Sequence, residues 1–159
     1  MLNSYQQVFQ MQQTAVKYGI ITGAAIVLYL FLFHQINREL VLNPLVYWST
    51  LLIPILGMVM AVRRVRSDNG GEIGKQEALK TAFLVFVLAQ LFFGAFIYIL
   101  FNFLDTGLTS LQLEMMKSAG RDTENVDLRM TPGRVLFQTA YMLIPGFFLS
   151  YMVAGFMRK

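Results

Sequence analysis

The stretch LVFVLAQLFFGAFIYILFNFL, residues 84–104, decides the fold. Helices of a soluble bundle carry a polar face at a 3.6-residue period, and this stretch is apolar nearly all round. It belongs to an interval without Asp, Glu, Lys or Arg that runs from Lys80 to Asp105. Three more such intervals lie between Lys17 and Arg38, Glu39 and Arg63, and Arg134 and Arg158. Each is at least about 20 residues, which spans a hydrocarbon core of roughly 30 Å at 1.5 Å per residue. The whole chain fits: 56% of its 159 residues are hydrophobic and 14% charged, where soluble domains carry about 25% charge. These patterns predict an all-α polytopic membrane protein in which residues 1–159 form a single membrane domain.

The expected spans are about 17–36, 44–63, 75–104 and 132–157, arranged as two antiparallel hairpins. Asn43-Pro44 and Thr131-Pro132 each read as an N-cap followed by proline in the first helical turn. Pro54 with Gly57, and Pro145-Gly146, predict kinks in spans 2 and 4. Residues 1–16 are rich in Gln and lack a basic segment, so the first span reads as retained rather than cleaved.

Between spans 2 and 3 lies RRVRSDNGGEIGKQEALK, residues 63–80. Its Gly74-Lys75 pair invites comparison with a phosphate loop. Such a loop needs glycine where Asn69 stands, Ser or Thr where Gln76 stands, and a preceding strand. It fails on all three counts. The stretch reads instead as an inner loop, 63–75, in which Gly70-Gly71 turns the chain and Arg63, Arg64, Arg66 and Lys75 meet anionic lipid headgroups. The net charge of +4 is then explained by the membrane, with no nucleic acid as partner.

Orientation follows from the basic residues. One side holds Lys17, Arg63, Arg64, Arg66, Lys75, Lys80, Arg158 and Lys159; the other holds Arg38, Lys117, Arg121, Arg129 and Arg134. The richer side is expected inside, which gives an N-in, C-in protein of the bacterial inner membrane. Residues 105–133 then form an outer loop. Thr109-Ser110-Leu111-Gln112 fits a capping box, and Gly120 ends a short helix whose Leu108, Leu111 and Met115 share a face suited to the membrane surface. The stretch RDTENVDLR, residues 121–129, reads as a solvated connection.

Between the charges that bound each apolar interval there is no Asp, Glu, Lys or Arg, so the sequence offers no carboxylate relay or gating charge there. His34 is the sole histidine and there is no cysteine, so His34 reads as an interfacial side chain rather than a metal ligand. No cofactor is expected. Ala15, Gly19 and Gly23 form one small-residue stripe, and Gly146, Ser150 and Ala154 another. Gln90 and Gly94 share a ridge of span 3. Such faces let helices approach closely, inside the bundle or against another chain, and the amide adds a hydrogen bond.

The entry of span 1 at Lys17-Tyr18-Gly19, the basic end of span 2, Arg66 and Asp68 with Gly70-Gly71, and the Lys80-led start of span 3 carry a family resemblance. Ile73 and Ala82-Phe83 correspond to further positions, while Gly74-Lys75 departs from the pattern. The chain resembles an uncharacterised family of four-helix membrane proteins common in Bacteroidota, the domain of unknown function four-one-nine-nine. The resemblance implies the four-span fold without an assigned activity, and a loose association with glycosyltransferases acting on polyprenyl phosphate.

The expected function is a non-enzymatic accessory or scaffold subunit of a larger inner-membrane complex, bound to lipids and to another membrane protein or to copies of itself. Two alternatives stay open. One is an oligomeric transporter or channel lined by Gln90, Asn102, Gln138 and Thr139. The other is a transferase on a lipid-linked substrate, with the arginines holding phosphate and Glu72 or Asp68 as base.

Overall fold

The computed structural model describes residues 4–124 and 126–157. Arg158 and Lys159, counted above among the basic residues, and Asn125 lie outside them. The described residues fold into α1 (Ser4–Ile36), a 3-10 turn (Arg38–Leu42), α2 (Pro44–Ser49), α3 (Leu52–Asp68), α4 (Lys75–Ile99) with a π-helical end (Leu100–Leu104), α5 (Leu108–Ser118) and α6 (Pro132–Met157). Four stretches are long and apolar enough to cross a membrane: Val8–Ile36, Pro44–Asp68, Lys75–Leu104 and Pro132–Met157. The chain is a membrane protein built from helices.

The spans stand close to where the charge pattern puts them, with three differences. α1 begins at Ser4, well upstream of Lys17. Glutamine is a good helix former, and Met11 and Ala15 of this early part pack into the core beside α3 and α4. α3 continues past Arg63 to Asp68, so most of the expected inner loop is helix and only residues 69–74 are not. The second span is also two helices. Pro54 lacks an N–H and crowds the carbonyl four residues earlier, which belongs to Thr50. That carbonyl accepts instead from Ile53 N at 3.2 Å, and the helix breaks at Thr50-Leu51. Pro145 has a milder outcome, since α6 stays helical from Pro132 to Met157.

The expected caps form. Asn43 Oδ1 accepts from Leu45 N at 2.8 Å, and Thr131 Oγ1 accepts from Arg134 N at 3.2 Å. At the start of α4, Glu77 reaches back to the Gly74 N–H at 3.2 Å. The capping box expected at Thr109 does not form. α5 begins at Leu108 behind Gly107, with no side-chain cap. Asp105 Oδ1 instead accepts from Gly107 N at 3.2 Å, and Leu108 is fully buried, so the turn is set by Asp105 and by packing.

α4 is the central helix and packs against α1, α3 and α6. Lipid tails are as apolar as leucine, so association here depends on close approach and dispersion rather than on escape from water. Glycine supplies that approach. Gly19 and Gly23 of α1 receive Leu88 and Phe92 of α4, and Gly57 of α3 receives Thr22 of α1. On the far side, Gly94 of α4 receives Thr139 and Val135, and Gly146 of α6 receives the Phe86 ring. The buried core forms two clusters along the bundle. One holds Ala15, Met58, Val62, Ala82, Phe86 and Ala154; the other holds Ile26, Leu30, Ala89, Phe96, Leu100 and Leu108.

Candidate functional site

The basic elbow is the candidate that the sequence puts first. α3 ends in a Schellman motif: Gly71 N donates to Arg66 O at 2.9 Å and Gly70 N to Ser67 O at 3.3 Å. Gly70 and Gly71 have φ of +77° and +99°, which only glycine adopts without strain. Arg66 Nε donates to Gly71 O at 2.6 Å, so this guanidinium staples the turn. Arg64 pairs with Asp68 one turn on, at 3.2 Å. Lys75 Nζ lies 2.6 Å from the Tyr151 hydroxyl and 4.1 Å from the centre of its ring, which ties α4 to α6. Arg63 is exposed. The four expected headgroup residues thus divide: Arg63 and Arg64 face outward, while Arg66 and Lys75 hold the elbow together.

All eight expected packing residues are buried within the chain. Ala15, Ser150 and Ala154 are at most 1% exposed, Gln90 is 6% exposed, and Gly19, Gly23, Gly94 and Gly146 are buried against neighbouring helices. Ser150 Oγ also donates to Gly146 O at 2.8 Å and lies 3.3 Å from Met58 Sδ. These small faces build the internal bundle.

The opposite end holds a cluster that the sequence does not announce. The π-helical end of α4 closes with Asp105 N donating to Leu100 O at 2.8 Å. A π turn adds a residue to each ring and so rotates the chain beyond it. Asp105 there meets three groups, one of them through an ion pair. His34 Nε2 lies 3.1 Å from Oδ2, Arg38 Nη2 lies 3.0 Å from Oδ1, and the Gly107 N–H binds Oδ1. The His34 and Asp105 side chains are 17% and 15% exposed, so this is a half-buried clasp between α1 and the end of α4. His34 Nδ1 is buried without a partner among the described residues. Asn102 Nδ2 adds a second strap, donating to Tyr98 O and Met130 O at 2.9 Å each. The signal available in the sequence was that His34 and Asp105 are each the first Asp, Glu, Lys, Arg or His met at the same end of a span.

Between α2–α3 and α6 the bundle gapes over α4. A cavity of about 370 Å³ near mid-span is lined by Leu51, Phe86, Met142, Pro145 and Phe148, with Trp48 at its upper end. A second, of about 300 Å³, lies toward the clasp and is lined by Tyr47, Trp48, Phe93, Gln112, Met130 and Gln138. Gln90, Gln138 and Thr139 line a crevice of only about 10 Å³ between them, where about one water fits. Asn102 is not part of it.

Residues 17–159 match a family model described as a protein of unknown function, DUF4199. The chain belongs to the DUF4199 family. Comparison with curated proteins and with solved structures gives no match. In this DUF4199 protein the residues that carried the resemblance are structural: Gly19 receives Leu88, Gly70-Gly71 form the turn, and Ile73 and Ala82 are core. The start of α1 lies outside the matched region, yet Met11 and Ala15 extend the same core.

Proposed function

We propose that this DUF4199 protein is a non-enzymatic accessory subunit of the bacterial inner membrane, holding another membrane protein in the plane of the bilayer. The observation that carries this reading is the outward face of α6. One side of α6 is locked to α4 through Gly94 and Gly146, while Leu136, Phe137, Phe148, Met152 and Phe156 stand 55% to 84% exposed. Bulky, aromatic-rich side chains on an edge helix suit contact with a neighbouring chain. In this reading the four spans form two antiparallel hairpins, with the elbow and both termini cytoplasmic and α5 outside. Arg63 and Arg64 then lie at the anionic leaflet. The loose association of the family names a glycosyltransferase on polyprenyl phosphate as the partner class.

A photo-crosslinker at Phe137 or Met152 tests the idea in native membranes. Capture of one defined membrane protein, absent when the crosslinker stands at Ile20 of α1, is the expected result. A purified chain that runs alone as a monomer and crosslinks to no protein defeats it. A reporter after Lys159 that works only outside the cytoplasm defeats the orientation. A second reading, an oligomeric channel, draws support from the convergence of Gln90, Gln138 and Thr139 on one crevice. Solute flux in liposomes that Gln90→Leu abolishes would favour it.

A further inference from the structure

We propose that the gap between α2–α3 and α6 is a binding site for one membrane lipid whose headgroup is uncharged and bears a free hydroxyl, such as a diacylglycerol. The inference deepens the accessory reading by adding a lipid to what the subunit holds, and the isolated chain suffices to test it. The two cavities meet at Trp48, which lines both, and their polarity is graded along the span. The mid-span cavity is apolar, with Leu51, Phe86 and Phe148 in its wall, and matches an acyl chain. The upper cavity carries Gln112, Gln138 and Tyr47. Each volume lies at the size of a small-ligand site, and each is partly open to the outside of the bundle.

Two features select the headgroup. Gln112 lines this cavity, and its buried Oε1 has no hydrogen-bond partner among the described residues, which costs free energy until a donor arrives. Gln138 stands exposed on α6, inside a membrane span where an amide is costly unless bonded. A hydroxyl both donates and accepts, so it satisfies either amide in either orientation. Among the described residues, no Asp, Glu, Lys, Arg or His lines either cavity, so a phosphate would lose water there without gaining a counter-charge. The site therefore excludes phospholipid headgroups by electrostatics and accepts a neutral lipid.

The chain reports on its own occupancy, because Trp48 is the sole tryptophan. The full chain in phosphatidylcholine nanodiscs is titrated with diacylglycerol brominated on one acyl chain, and Trp48 fluorescence is read. Trp48 is 59% exposed, so brominated phosphatidylcholine gives a graded baseline from random contact. Diacylglycerol is expected to quench at low mole fraction and to saturate. Gln112→Leu should raise the half-quenching fraction about tenfold, the change expected for about one net hydrogen bond. Gln138→Leu, on the surface of α6, should shift it in the same direction without touching the packing of α5. Quenching by diacylglycerol that follows the baseline overturns the site. Brominated phosphatidic acid that quenches as strongly as diacylglycerol overturns the neutral headgroup, and so does the absence of a shift in both variants. A failed crosslinking experiment would leave all these outcomes unchanged.

Discussion

The two ends of this bundle solve the same problem, closing helix ends at a membrane surface, in different ways. At the elbow the bonds of the turn itself are local: Gly70, Gly71, Arg66 and Asp68 reach partners no more than five residues away, while Lys75 just beyond it reaches Tyr151 of α6. At the clasp they are long-range. His34 meets Asp105 across 71 positions of sequence, and Asn102 meets Met130 across 28. A local turn forms wherever its own residues allow it. The clasp exists only after α1 and α4 have packed, so it reports on the assembled bundle and is lost with it.

The largest expected effect of a single change therefore falls at the clasp. Asp105→Ala removes the partner shared by His34, Arg38 and the Gly107 N–H, and leaves the half-buried His34 and the Gly107 N–H without it. Charge-assisted bonds and their unsatisfied donors together set a loss of about 3 kcal/mol. Thermal unfolding in detergent measures it, and hydrogen exchange should locate the loosening at residues 105–118 and at the end of α1. A variant as stable as the parent would mean that packing around Leu108 alone closes this end.

The same contrast explains which features are legible in the sequence. The spans, the caps at Asn43 and Thr131, the Gly70-Gly71 turn and the Gly120 helix end are all properties of a few adjacent residues, and all could be read from them. Gly120 shows this well, with φ of +71° and its N–H donating to Lys117 O at 3.0 Å. His34 looked solitary because its partner is remote. Leu108 and Leu111 looked like a membrane-surface face, yet Leu108 is a core residue and Leu111 packs beside it. The gap beside Trp48 was invisible because it depends on how far α2–α3 stands from α6, which no local pattern encodes. The small-residue stripes were legible as contact faces, but only three-dimensional packing assigns them to the inside.

Two smaller changes sharpen the comparison. Asn102→Ala should cost about 1.5 kcal/mol, since its amide bonds two carbonyls, one of them across the clasp. Its signature is faster hydrogen exchange around Met130 with little change at the elbow. Gly70→Ala should cost about 1 kcal/mol through its positive φ, with no atom of the described residues near enough to clash. Its loosening should stay confined to residues 66–74. Spread of that effect to the clasp would refute the division between local and long-range ends.

The smallest effect tests the clasp side through pH. Asp127 accepts from Arg129 N and Nε and from Nη2 at 3.0 to 3.3 Å, and Arg134 donates to its carbonyl. The hydrogen bond from the Arg129 side chain chiefly holds the Asp127 carboxyl down at about 2, below the usual 3.8. A depressed carboxyl contributes order above its unfolded pKa and loses that contribution as pH falls through 3.8 toward 2. The pair is fully exposed and salt-screened, so the global melting temperature should hardly move. The local signal should still appear. Exchange of the amides at residues 126–131, corrected for intrinsic rate, should speed up between about pH 5 and about pH 2 in the parent, whereas Asp127→Asn should exchange fast at both. Because Arg134 opens α6 and its guanidinium holds the Asp127 carbonyl, loosening confined to this loop would mark it as a tether of α6, and loosening that reached Asp105 would make it part of the clasp.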